Sequence, residues 1–586
     1  MTQKKAPRPV PRGRTLLAAL TAALLLTGAG AAGSGTAAAG PARDDGAGWS
    51  TPGPQRALSG VLSPGPVVRA QTGPTTPAPR AGHAPSEPER PGHRRMRTGP
   101  DPDPDPVRVP DVSPRLGGPL PDPGRAPSPG GPGRLALFRD TTVPVTTGVQ
   151  VPISEPSTDQ LGRDIFATGN RHAEFSRDNG RNWTGLDPRT VFGPSFCCDQ
   201  VTKTDARYHR QHWLLQYLHP DLPGGHGYLV LANSAVGDFV NWRPYTIRPS
   251  AFGYSDDLST DYNDVVIGDR YLYLTTRIIN YDPEGNYAVV AVALMRVDRA
   301  DLAAGRPAHY DAITRTDITE ELRVPQGITD VAYAAATSVD SGRGRRVRLL
   351  VWPENSPYVT TVDRSVPAFR YMTNEVDGAA GDCSSRDGVV NDWCAYFKSG
   401  AVSAARARGS LWLTWPAQQY GTQRPFPYVR LTVLRESDLR VVRNQDLYSR
   451  TVAHAYQQIA PDERGNIGYL DAFGGGTGNA HYFPGAMIGV FDDITPASPS
   501  VDYFLPGKGN ACVYSAEDEF DGNWGDYLTI RGLQRVPGAW IATAMARKDN
   551  TVVNCGADVP MTIKNIVFGR ERDRGAYERS VGTDHR

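Results

Sequence analysis

Beyond its first 26 residues, this 586-residue sequence contains no long apolar run, and its charges almost cancel. A helix needs about 18 or more apolar residues in a row to span a membrane, so we expect no membrane span in the mature chain. The 63 Lys and Arg residues against 62 Asp and Glu residues leave a formal net charge of +1. Nucleic-acid-binding proteins present strongly basic surfaces, so we expect no nucleic acid partner either.

Residues 1–39 are predicted to be a cleavable signal peptide. Five basic residues fall within the first 14, a short apolar run follows at 16–26, and small residues at 29–31 and 37–39 offer cleavage sites. The apolar run is too short to hold the chain in a bilayer, and no cysteine follows it to carry a lipid. We therefore expect a secreted protein, and a monomer.

Residues 40–134 contain almost no aromatic side chains and are rich in Pro, Gly, Arg and Asp. Such a segment cannot bury enough apolar surface to offset the entropy lost on ordering. The density of proline makes it extended, as in a semi-rigid spacer. We predict a disordered linker at 40–134, a folded domain at 135–575 and a short tail at 576–586.

Cysteine is scarce: the chain has six, all between positions 197 and 555. None belongs to the Cys-x-x-Cys clusters with nearby histidine that zinc sites use. An even number of cysteines in an exported chain indicates disulfides. We predict the pairs Cys197–Cys198, Cys383–Cys394 and Cys512–Cys555. In the alternative, Cys197 and Cys198 pair elsewhere, for instance with Cys383 and Cys394.

Short aromatic and aliphatic runs recur through the folded domain with little helical periodicity. They begin at residues 212, 271, 347, 411, 467 and 539, at intervals of 56 to 76 residues, and a second strand-like run follows each one. Units of three or four strands repeated in this way are typical of propeller blades. A further partial unit at 164–183 favours seven blades over six. The predicted fold class is therefore all-β, a single β-propeller.

Residues 176–183 read Ser-Arg-Asp-Asn-Gly-Arg-Asn-Trp and fit the pattern S-x-D-x-G-x-x-W. This segment resembles the Asp box of the sialidase-like propellers, which carry BNR repeats, and a degenerate copy follows at 234–242. The resemblance implies a propeller whose box is a structural hairpin on the periphery. The catalytic residues of that superfamily are not carried over, because its Arg-Ile-Pro context is replaced here by Gly162-Arg163-Asp164.

The innermost strand of a propeller blade begins beside the central channel, where ligands usually bind. Polar residues precede several predicted inner strands, so we expect their side chains to converge at one mouth. The candidate catalytic residues are Asp199, Asp264, Asp330, His454 and Asp526. The four aspartates are also a candidate Ca²⁺ site, because Ca²⁺ takes six to eight oxygen ligands. The alternative is that each aspartate caps its own strand.

Other residues at the same positions are candidate ligand contacts. A vicinal disulfide would present a rigid apolar edge to a sugar, and Arg277 would neutralise a uronate beside a His454–tyrosine acid-base pair, as in a polysaccharide lyase. Trp524 is either a sugar platform or an inter-blade packing residue. The predicted ligand-binding set is Cys197, Cys198, Gln200, Tyr262, Arg277, Tyr456, Trp524 and Tyr527.

Two functions fit these observations. The first is a secreted enzyme, a glycoside hydrolase or a polysaccharide lyase, that acts on an extracellular or cell-surface glycan at the channel mouth. The second is a non-catalytic propeller that binds a glycan or a protein. The enzyme requires a carboxylate pair or a His/Tyr/Arg cluster at the mouth, whereas the binding protein requires only an aromatic rim.

Overall fold

The structure is a computed structural model that describes residues 53–77, 119–123 and 131–582. Within the last range, the residues left undescribed are 148–149, 194, 218–226, 282–286, 319–320, 341–342, 371, 373–382, 384–392, 395–399, 401, 419–422, 477–481, 513–521, 552, 556–558 and 560. The predicted signal peptide at 1–39 lies outside the described residues.

Seven antiparallel sheets form the seven blades of a β-propeller, which confirms the predicted fold class and blade number. The aromatic and aliphatic runs pack between neighbouring blades, and the tryptophans Trp183, Trp213, Trp242, Trp352, Trp415 and Trp540 are among the largest fully buried side chains. Five short strands precede the regular blades: β1 (Gln55–Arg56), β2 (Leu58–Leu62), β3 (Val68–Arg69), β4 (Thr72–Pro77) and β5 (Leu135–Thr142).

Blades 1 to 3 each contain four strands in chain order, with the first strand innermost. Blade 1 contains β6 (Ser157–Leu161), β7 (Asp164–Gly169), β8 (His172–Ser176) and β9 (Asn182–Leu186). Blade 2 contains β10 (Phe196–Asp205), β11 (Arg210–Tyr217), β12 (Tyr228–Ala235) and β13 (Asn241–Ile247). Blade 3 contains β14 (Ser259–Ile267), β15 (Tyr271–Tyr281), β16 (Tyr287–Asp298) and β17 (Ala308–Arg315).

Blades 4 to 7 complete the ring. Blade 4 contains β18 (Val331–Asp340), β19 (Arg343–Pro353) and β20 (Tyr358–Arg370). Blade 5 contains β21 (Ser403–Ala407), β22 (Ser410–Ala417), β23 (Tyr428–Arg435) and β24 (Val441–Leu447), and blade 6 contains β25 (Ala453–Pro461), β26 (Ile467–Gly475), β27 (Tyr482–Phe491) and β28 (Ser500–Leu505). Blade 7 contains β29 (Thr529–Gly532), β30 (Ala539–Arg547) and β31 (Met561–Arg570).

Blade 4 differs from the others because its innermost segment is irregular. Residues 321–326 occupy the channel position: Arg323 bridges to Ala335 of β18, and Gln326 bridges to Ala405 of blade 5. Pro325 lacks the N–H that a regular ladder needs, so this segment does not form a continuous strand. Consequently β18 is the second strand of blade 4, and it runs in the opposite direction to the inner strands.

The ring closes through a strand from the N-terminal side of the domain. Strand β5 pairs with β31 as the outer strand of blade 7, with Asp140 opposite Ile566. The helices are short connectors: α1 (Pro188–Val191), α2 (Arg299–Ala304), α3 (Arg574–Ser580) and 3₁₀ turns at Pro249–Phe252 and Glu571–Asp573.

Residues 53–77, which we name the strap, add a strand to the outside of four blades. Strands β1, β2, β3 and β4 pair with β20, β17, β13 and β9, so the strap passes blades 4, 3, 2 and 1 in that order. Residues 119–123 also contact the propeller, where the Leu120 N–H donates to the Tyr448 carbonyl at 2.7 Å. The expectation of a disordered linker throughout 40–134 is therefore wrong for these two stretches.

The C-terminal boundary also lies further along the chain than expected. Helix α3 extends into the predicted tail at 576–586, and its Tyr577 is buried and donates a hydrogen bond to Asn179 Oδ1 at 2.9 Å. The ring of Tyr577 also stacks on Phe138 of β5. The folded domain therefore continues to at least residue 582.

The hairpin at residues 176–183 joins β8 to β9 and is held by its own polar side chains. Ser176 Oγ accepts from the Gly180 N–H at 2.8 Å, and Asp178 Oδ1 accepts from the Asn182 N–H at 2.9 Å. Gly180 has a φ of 79°, which favours glycine. Trp183 is fully buried beneath the hairpin. These residues stabilise the periphery of blade 1.

The three predicted disulfides, Cys197–Cys198, Cys383–Cys394 and Cys512–Cys555, are all formed. The alternative pairing of Cys197 and Cys198 with other cysteines is therefore wrong. Among the described residues, none of the helices has the length and apolar character required to cross a membrane.

Candidate functional site

The mouth of the channel is the end at which the inner strands begin. Near this end β10, β14 and β25 each contain a bulge, and in the last two a tyrosine occupies it. Tyr262 and Tyr456 there have φ values of 52° and 58°, a left-handed conformation that is strained for residues other than glycine. A bulge turns side chains away from the regular alternation, so these strand starts aim polar groups at the channel axis.

Three carboxyl groups from three blades meet at the mouth. Glu155 lies just before the inner strand of blade 1, Asp199 lies in the bulge of blade 2, and Asp526 precedes the inner strand of blade 7. Glu155 Oε1 accepts from the Asp526 backbone N–H at 2.7 Å, and its Oε2 accepts from Asn170 Nδ2 at 2.8 Å. Glu155 and Asp199 also lie close enough for the charge of one to act on the other. We name Glu155, Asp199 and Asp526 the carboxyl cluster.

Two members of the carboxyl cluster, Glu155 and Asp199, hold protons more tightly than exposed carboxyl groups do. Burial, reinforced by the charges of Asp199 and Asp526, raises the pKa of Glu155 well above its ordinary 4.5. Burial, reinforced by the charges of Asp261 and Asp526, raises the pKa of Asp199 well above its ordinary 3.8. Two neighbouring buried carboxyl groups resist simultaneous ionisation, because the charge of each disfavours the charge of the other.

Arginines adjoin the carboxyl cluster on the side of blades 3 and 4. Arg277 Nη2 donates to Glu321 Oε1 at 2.5 Å, and Arg277 Nη1 lies 3.7 Å from Asp261 Oδ2. The guanidinium groups of Arg277 and Arg323 lie 4.6 Å and 4.2 Å from the centre of the Tyr262 ring. Gln216 Nε2 donates to Asp261 Oδ1 at 3.0 Å. The charge of Asp261 is thus compensated, unlike that of Asp199.

Two tyrosines connect these groups across the channel. The Tyr262 hydroxyl of blade 3 donates to the Asp526 carbonyl of blade 7 at 3.3 Å, and the Tyr262 and Tyr527 rings meet edge to face. Burial is the main reason that the pKa of each hydroxyl lies well above its ordinary 10.0, and the nearest carboxylates, Glu321 beside Tyr262 and Asp199 beside Tyr527, raise it further. Both hydroxyls are therefore protonated donors at neutral pH.

The structure thus brings together a subset of the residues predicted from sequence: Asp199, Asp526, Tyr262, Arg277 and Tyr527. The Cys197–Cys198 disulfide directly precedes Asp199 and fills the bulge of blade 2, with Cys197 partly exposed and Cys198 buried. The roles assigned to all of these residues stay predictions.

Asp264 lies below the mouth, inside the channel. Its carboxylate oxygens are 4.0 Å from Arg323 Nη1 and 3.9 Å from Arg531 Nη2. Because Arg531 belongs to blade 7 and Asp264 to blade 3, these side chains meet across the channel. Asp264 is therefore flanked by arginines rather than by the carboxyl cluster.

Asp330 lies at the opposite end of the channel from the other candidates. It occupies the turn between the irregular inner segment of blade 4 and β18, beside Glu354 and Arg270, which join it in lining a cavity of about 470 Å³. The prediction that Asp330 joins the mouth is wrong. The sequence pattern predicted β18 as the inner strand of blade 4. The actual inner segment, residues 321–326, contains Pro325 and does not look like a strand in the sequence.

His454 does not reach the mouth, although it lies near the start of an inner strand. Its side chain is fully buried within blade 6, where Nδ1 lies 3.1 Å from Asp471 Oδ2. The Tyr469 hydroxyl donates to the same oxygen at 2.5 Å. The expectation that His454 faces the mouth is wrong, because its side chain points into the blade and its imidazole is held by Asp471.

Three of the predicted ligand-binding side chains pack or form hydrogen bonds within the protein. Gln200 donates to the Gly169 carbonyl at 2.7 Å and accepts from Trp213 Nε1 at 2.8 Å. Trp524 is only 1% exposed and belongs to the hydrophobic core. It is therefore a packing residue and not a sugar platform. Tyr456 stacks on Trp393 and donates to its carbonyl at 3.3 Å. These contacts leave Gln200 and Trp524 no accessible surface for a sugar.

The four aspartates predicted to hold Ca²⁺, Asp199, Asp264, Asp330 and Asp526, do not share one place. Asp330 is at the far end of the channel and Asp264 is flanked by arginines. In the part of the chain that the structure describes, no group of three or more His, Cys, Asp or Glu side chains is arranged to hold a metal ion. Calcium remains a prediction for Asp199 and Asp526 alone.

The sequence analysis missed Glu155, Glu321 and Arg323. Glu155 precedes an inner strand as the other candidates do, but that strand reads Ser-Thr-Asp-Gln-Leu and lacks the aromatic signature used to find inner strands. Its φ of 44° marks a strained position. Glu321 and Arg323 lie on the irregular inner segment of blade 4, where only closure of the ring reveals the channel position.

The fold and the mouth define a class of protein: a seven-bladed β-propeller with buried carboxyl groups of raised pKa beside arginines at one end of its channel. No protein-family model and no curated protein matches the sequence.

Solved structures with which the chain can be aligned include a sialidase of Streptococcus pneumoniae, an α-L-arabinofuranosidase of Fusarium graminearum and a protein of unknown function from Dyadobacter fermentans. The sialidase is 9% identical over 56% of this chain and 68% of its own, with a TM-score of 0.31. The arabinofuranosidase is 11% identical over 53% and 92%, with a TM-score of 0.28. The third is 11% identical over 74% and 99%, with a TM-score of 0.36. Values this low carry no function across, so any inference about function depends on the site.

Proposed function

We propose that this protein is a secreted glycoside hydrolase that cleaves an extracellular or cell-surface glycan at the channel mouth. The observation that supports it is the buried neighbouring pair of Glu155 and Asp199, both with raised pKa values, beside Asp261 and Asp526. A glycosidase needs one carboxyl group that is still protonated near neutral pH to donate to the leaving oxygen. A buried pair with raised pKa values meets that requirement.

In this proposal Glu155 and Asp199 act together as the general acid. The second carboxylate of the reaction is Asp261, whose negative charge is offset by Arg277 and by the hydrogen bond from Gln216. An ionised carboxylate serves as a base toward water or as a nucleophile toward the sugar. Arg277 would bind the electron-rich face of the substrate next to the Tyr262 ring, and the Cys197–Cys198 edge would contact the sugar ring.

The lyase alternative has less support. It assigns proton abstraction to His454, which is buried within blade 6 and held by Asp471. Tyr262 is a poor substitute as a base, because burial and the charge of Glu321 raise its pKa. The binding-protein alternative relied on an aromatic rim, but Trp524 is buried and Tyr456 is stacked on Trp393. Binding alone would not require a buried carboxyl pair with raised pKa values.

The test is a hydrolysis screen with aryl glycosides and polysaccharides, measured as release of the aryl group or of reducing ends. We expect turnover by the wild type and a loss of about 10²- to 10⁴-fold in kcat for Glu155→Gln and for Asp199→Asn, as is typical for removal of a general acid. The matched control is Asp238→Asn, which alters a peripheral aspartate of blade 2 and should leave kcat unchanged.

The outcome that would contradict the proposal is equally specific. If the wild type binds a glycan on an array without turning it over, and Glu155→Gln binds as tightly, the protein is a binding module. If Asp238→Asn loses as much activity as Glu155→Gln, the effect is one of folding and not of the site. Melting curves of each variant separate these two cases.

A further inference from the structure

We propose that the channel below the mouth holds one monovalent inorganic anion of the chloride class, between Arg531 and Arg323. This site is separate from the proposed catalytic groups. It lies deeper in the channel, where side chains from the inner strands of several blades face one another.

Five charged side chains line this level of the channel, and their charges do not cancel. The cations are Lys203 of blade 2, Arg323 of blade 4 and Arg531 of blade 7, and the anions are Asp159 of blade 1 and Asp264 of blade 3. Lys203 Nζ lies 3.4 Å from Asp159 Oδ2. The formal sum of these five side chains is three positive charges against two negative ones, and Glu321, whose charge also acts on Arg323, is hydrogen-bonded to Arg277.

The carboxylates do not satisfy the guanidinium groups. Asp159 already accepts from the backbone N–H groups of Gln160 and Thr204, each at 2.8 Å. Asp264 Oδ1 accepts from the Val265 N–H at 2.8 Å. Its contacts with Arg323 and Arg531 are 4.0 Å and 3.9 Å long, beyond the 2.7–3.2 Å of a hydrogen bond.

Several guanidinium donors in the channel therefore lack a hydrogen-bond partner among the described residues. They are Nη1 of Arg323 and both Nε and Nη2 of Arg531. The side chains of these residues are only 8% and 3% exposed. A buried charged donor without a partner is unfavourable and indicates an ion or water that completes the site.

The space is bounded on two sides. Above, the Arg323 guanidinium packs against the Tyr262 ring. Below, the Gln326 side chain crosses the channel and donates to the carbonyls of Ile459 at 3.3 Å and Ile530 at 2.9 Å. A buried site lined by these guanidinium donors fits one small monovalent anion that accepts charged hydrogen bonds. A water molecule would accept the same bonds but carry no negative charge.

The experiment compares melting temperatures in sodium chloride and sodium gluconate at equal ionic strength and pH. We expect a saturable rise of roughly 1–3 °C in chloride only, because a ligand that binds the folded state stabilises it. Arg531→Gln should abolish the chloride-specific rise. Arg181→Gln, which alters an exposed arginine of the blade 1 hairpin, should keep it.

A second measurement does not depend on any variant. Crystals of the wild-type protein grown in sodium bromide should show an anomalous peak between Arg531 and Arg323. Equal melting temperatures in chloride and gluconate would overturn the proposal. An electron-density peak between the two arginines without anomalous signal would also overturn it, because water would then accept the hydrogen bonds of the guanidinium groups. Neither result bears on the hydrolysis screen, so the two proposals fail separately.

Discussion

Two buried aspartates at opposite ends of the channel have pKa values shifted in opposite directions. At the mouth, Asp199 is 5% exposed, and burial with the charges of Asp261 and Asp526 raises its pKa. At the opposite end, Asp205 is 1% exposed, and Arg299 binds both of its oxygens at 2.7 Å. Burial alone would raise the pKa of Asp205, but the hydrogen bonds and charges of His212 and Arg299 lower it.

The difference shows that burial alone does not mark a functional carboxyl group. Arg277 acts on Asp199 by charge alone, so what separates the two aspartates is whether the fold provides a hydrogen-bonded cation. Asp205 has one and stabilises the turn after β10, whereas Asp199 faces further carboxyl groups and is left in a state that suits proton transfer. The end of the channel with Asp205 is therefore stabilised by paired charges, whereas like charges lie close together at the mouth.

The largest expected effect comes from removing the cation at the opposite end. Arg299→Met leaves Asp205 buried without its partner and should lower the free energy of unfolding by about 3–5 kcal/mol. Asp199→Asn at the mouth should have no effect or a stabilising one, because it removes a buried charge conflict. Chemical denaturation measures both.

Arg270→Met is the matched control for Arg299→Met. Arg270 lies at the same end, but its side chain is 62% exposed and its contact with Asp298 is 3.2 Å long. An exposed ion pair of this kind contributes about 0–1 kcal/mol. If Arg270→Met and Arg299→Met cost the same, the contrast between paired and unpaired aspartates does not hold.

Removing the strap should have the next largest effect and should leave the mouth intact. A chain that begins at residue 78 loses the strands that cover blades 1 to 4 and exposes the surface that Leu62 buries, whose burial contributes about 1.5–3 kcal/mol by itself. We expect a lower melting temperature with unchanged activity per folded molecule. A chain that begins at residue 51 keeps the strap and should have the same melting temperature as the chain that also contains residues 40–50. Equal melting of both truncated chains would mean that the strap does not stabilise the propeller.

The pH dependence of stability should have opposite signs at the two ends. Above the ordinary values of 3.8 and 4.5, the unfolded chain ionises Asp199 and Glu155 while the folded chain holds their protons. Rising pH therefore lowers the stability of the wild type relative to Glu155→Gln/Asp199→Asn, by about 1.4 kcal/mol for each unit of pKa shift. Asp205 contributes stability above its ordinary 3.8 and loses it as pH falls through its lowered pKa.

Denaturation of the wild type and the double variant from pH 4 to pH 8 measures the first effect. A constant difference across that range would contradict the raised pKa values.

The smallest effect is expected at the periphery. Asp178→Ala in the blade 1 hairpin removes an acceptor of the Asn182 and Arg181 N–H groups and should cost about 1 kcal/mol. The same change at Asp238 of blade 2 should cost less, because its contacts with Val240 and Asn241 N–H are 3.3 Å and 3.4 Å long. Neither should alter activity, and thermal denaturation with an activity assay measures both.

The sequence was sufficient for the blades because an aromatic pattern recurs on the second strands of blades 2, 3, 5, 6 and 7 and on the third strand of blade 4. It also located Asp199, Tyr262 and Asp526, each of which directly precedes or begins such a blade. It failed where a segment occupies the inner position of a blade but lacks the hydrophobic pattern of a strand. The polar β6 concealed Glu155, and Pro325 moved the apparent start of blade 4 to Asp330.

The strap was missed for a different reason. Strands β1 to β4 attach to blade edges mainly through backbone hydrogen bonds, which need no particular side chains. Residues 72–77 read Thr-Gly-Pro-Thr-Thr-Pro and therefore look like linker. Composition predicts whether a segment can form a core, but it does not predict whether an existing sheet edge will accept it as one more strand.

The pairing of β5 with β31 affects the order in which the chain can fold. The contact of Lys564 with Asp140 joins residues 424 positions apart, so the ring cannot close until almost the whole chain has been synthesised. Contacts this distant in sequence slow folding, because loop closure precedes any gain from pairing. Until then the edges of the first and last blades are open to other chains. The period before closure should therefore be the aggregation-sensitive stage, and dilution or a chaperone should improve refolding yield more than added salt.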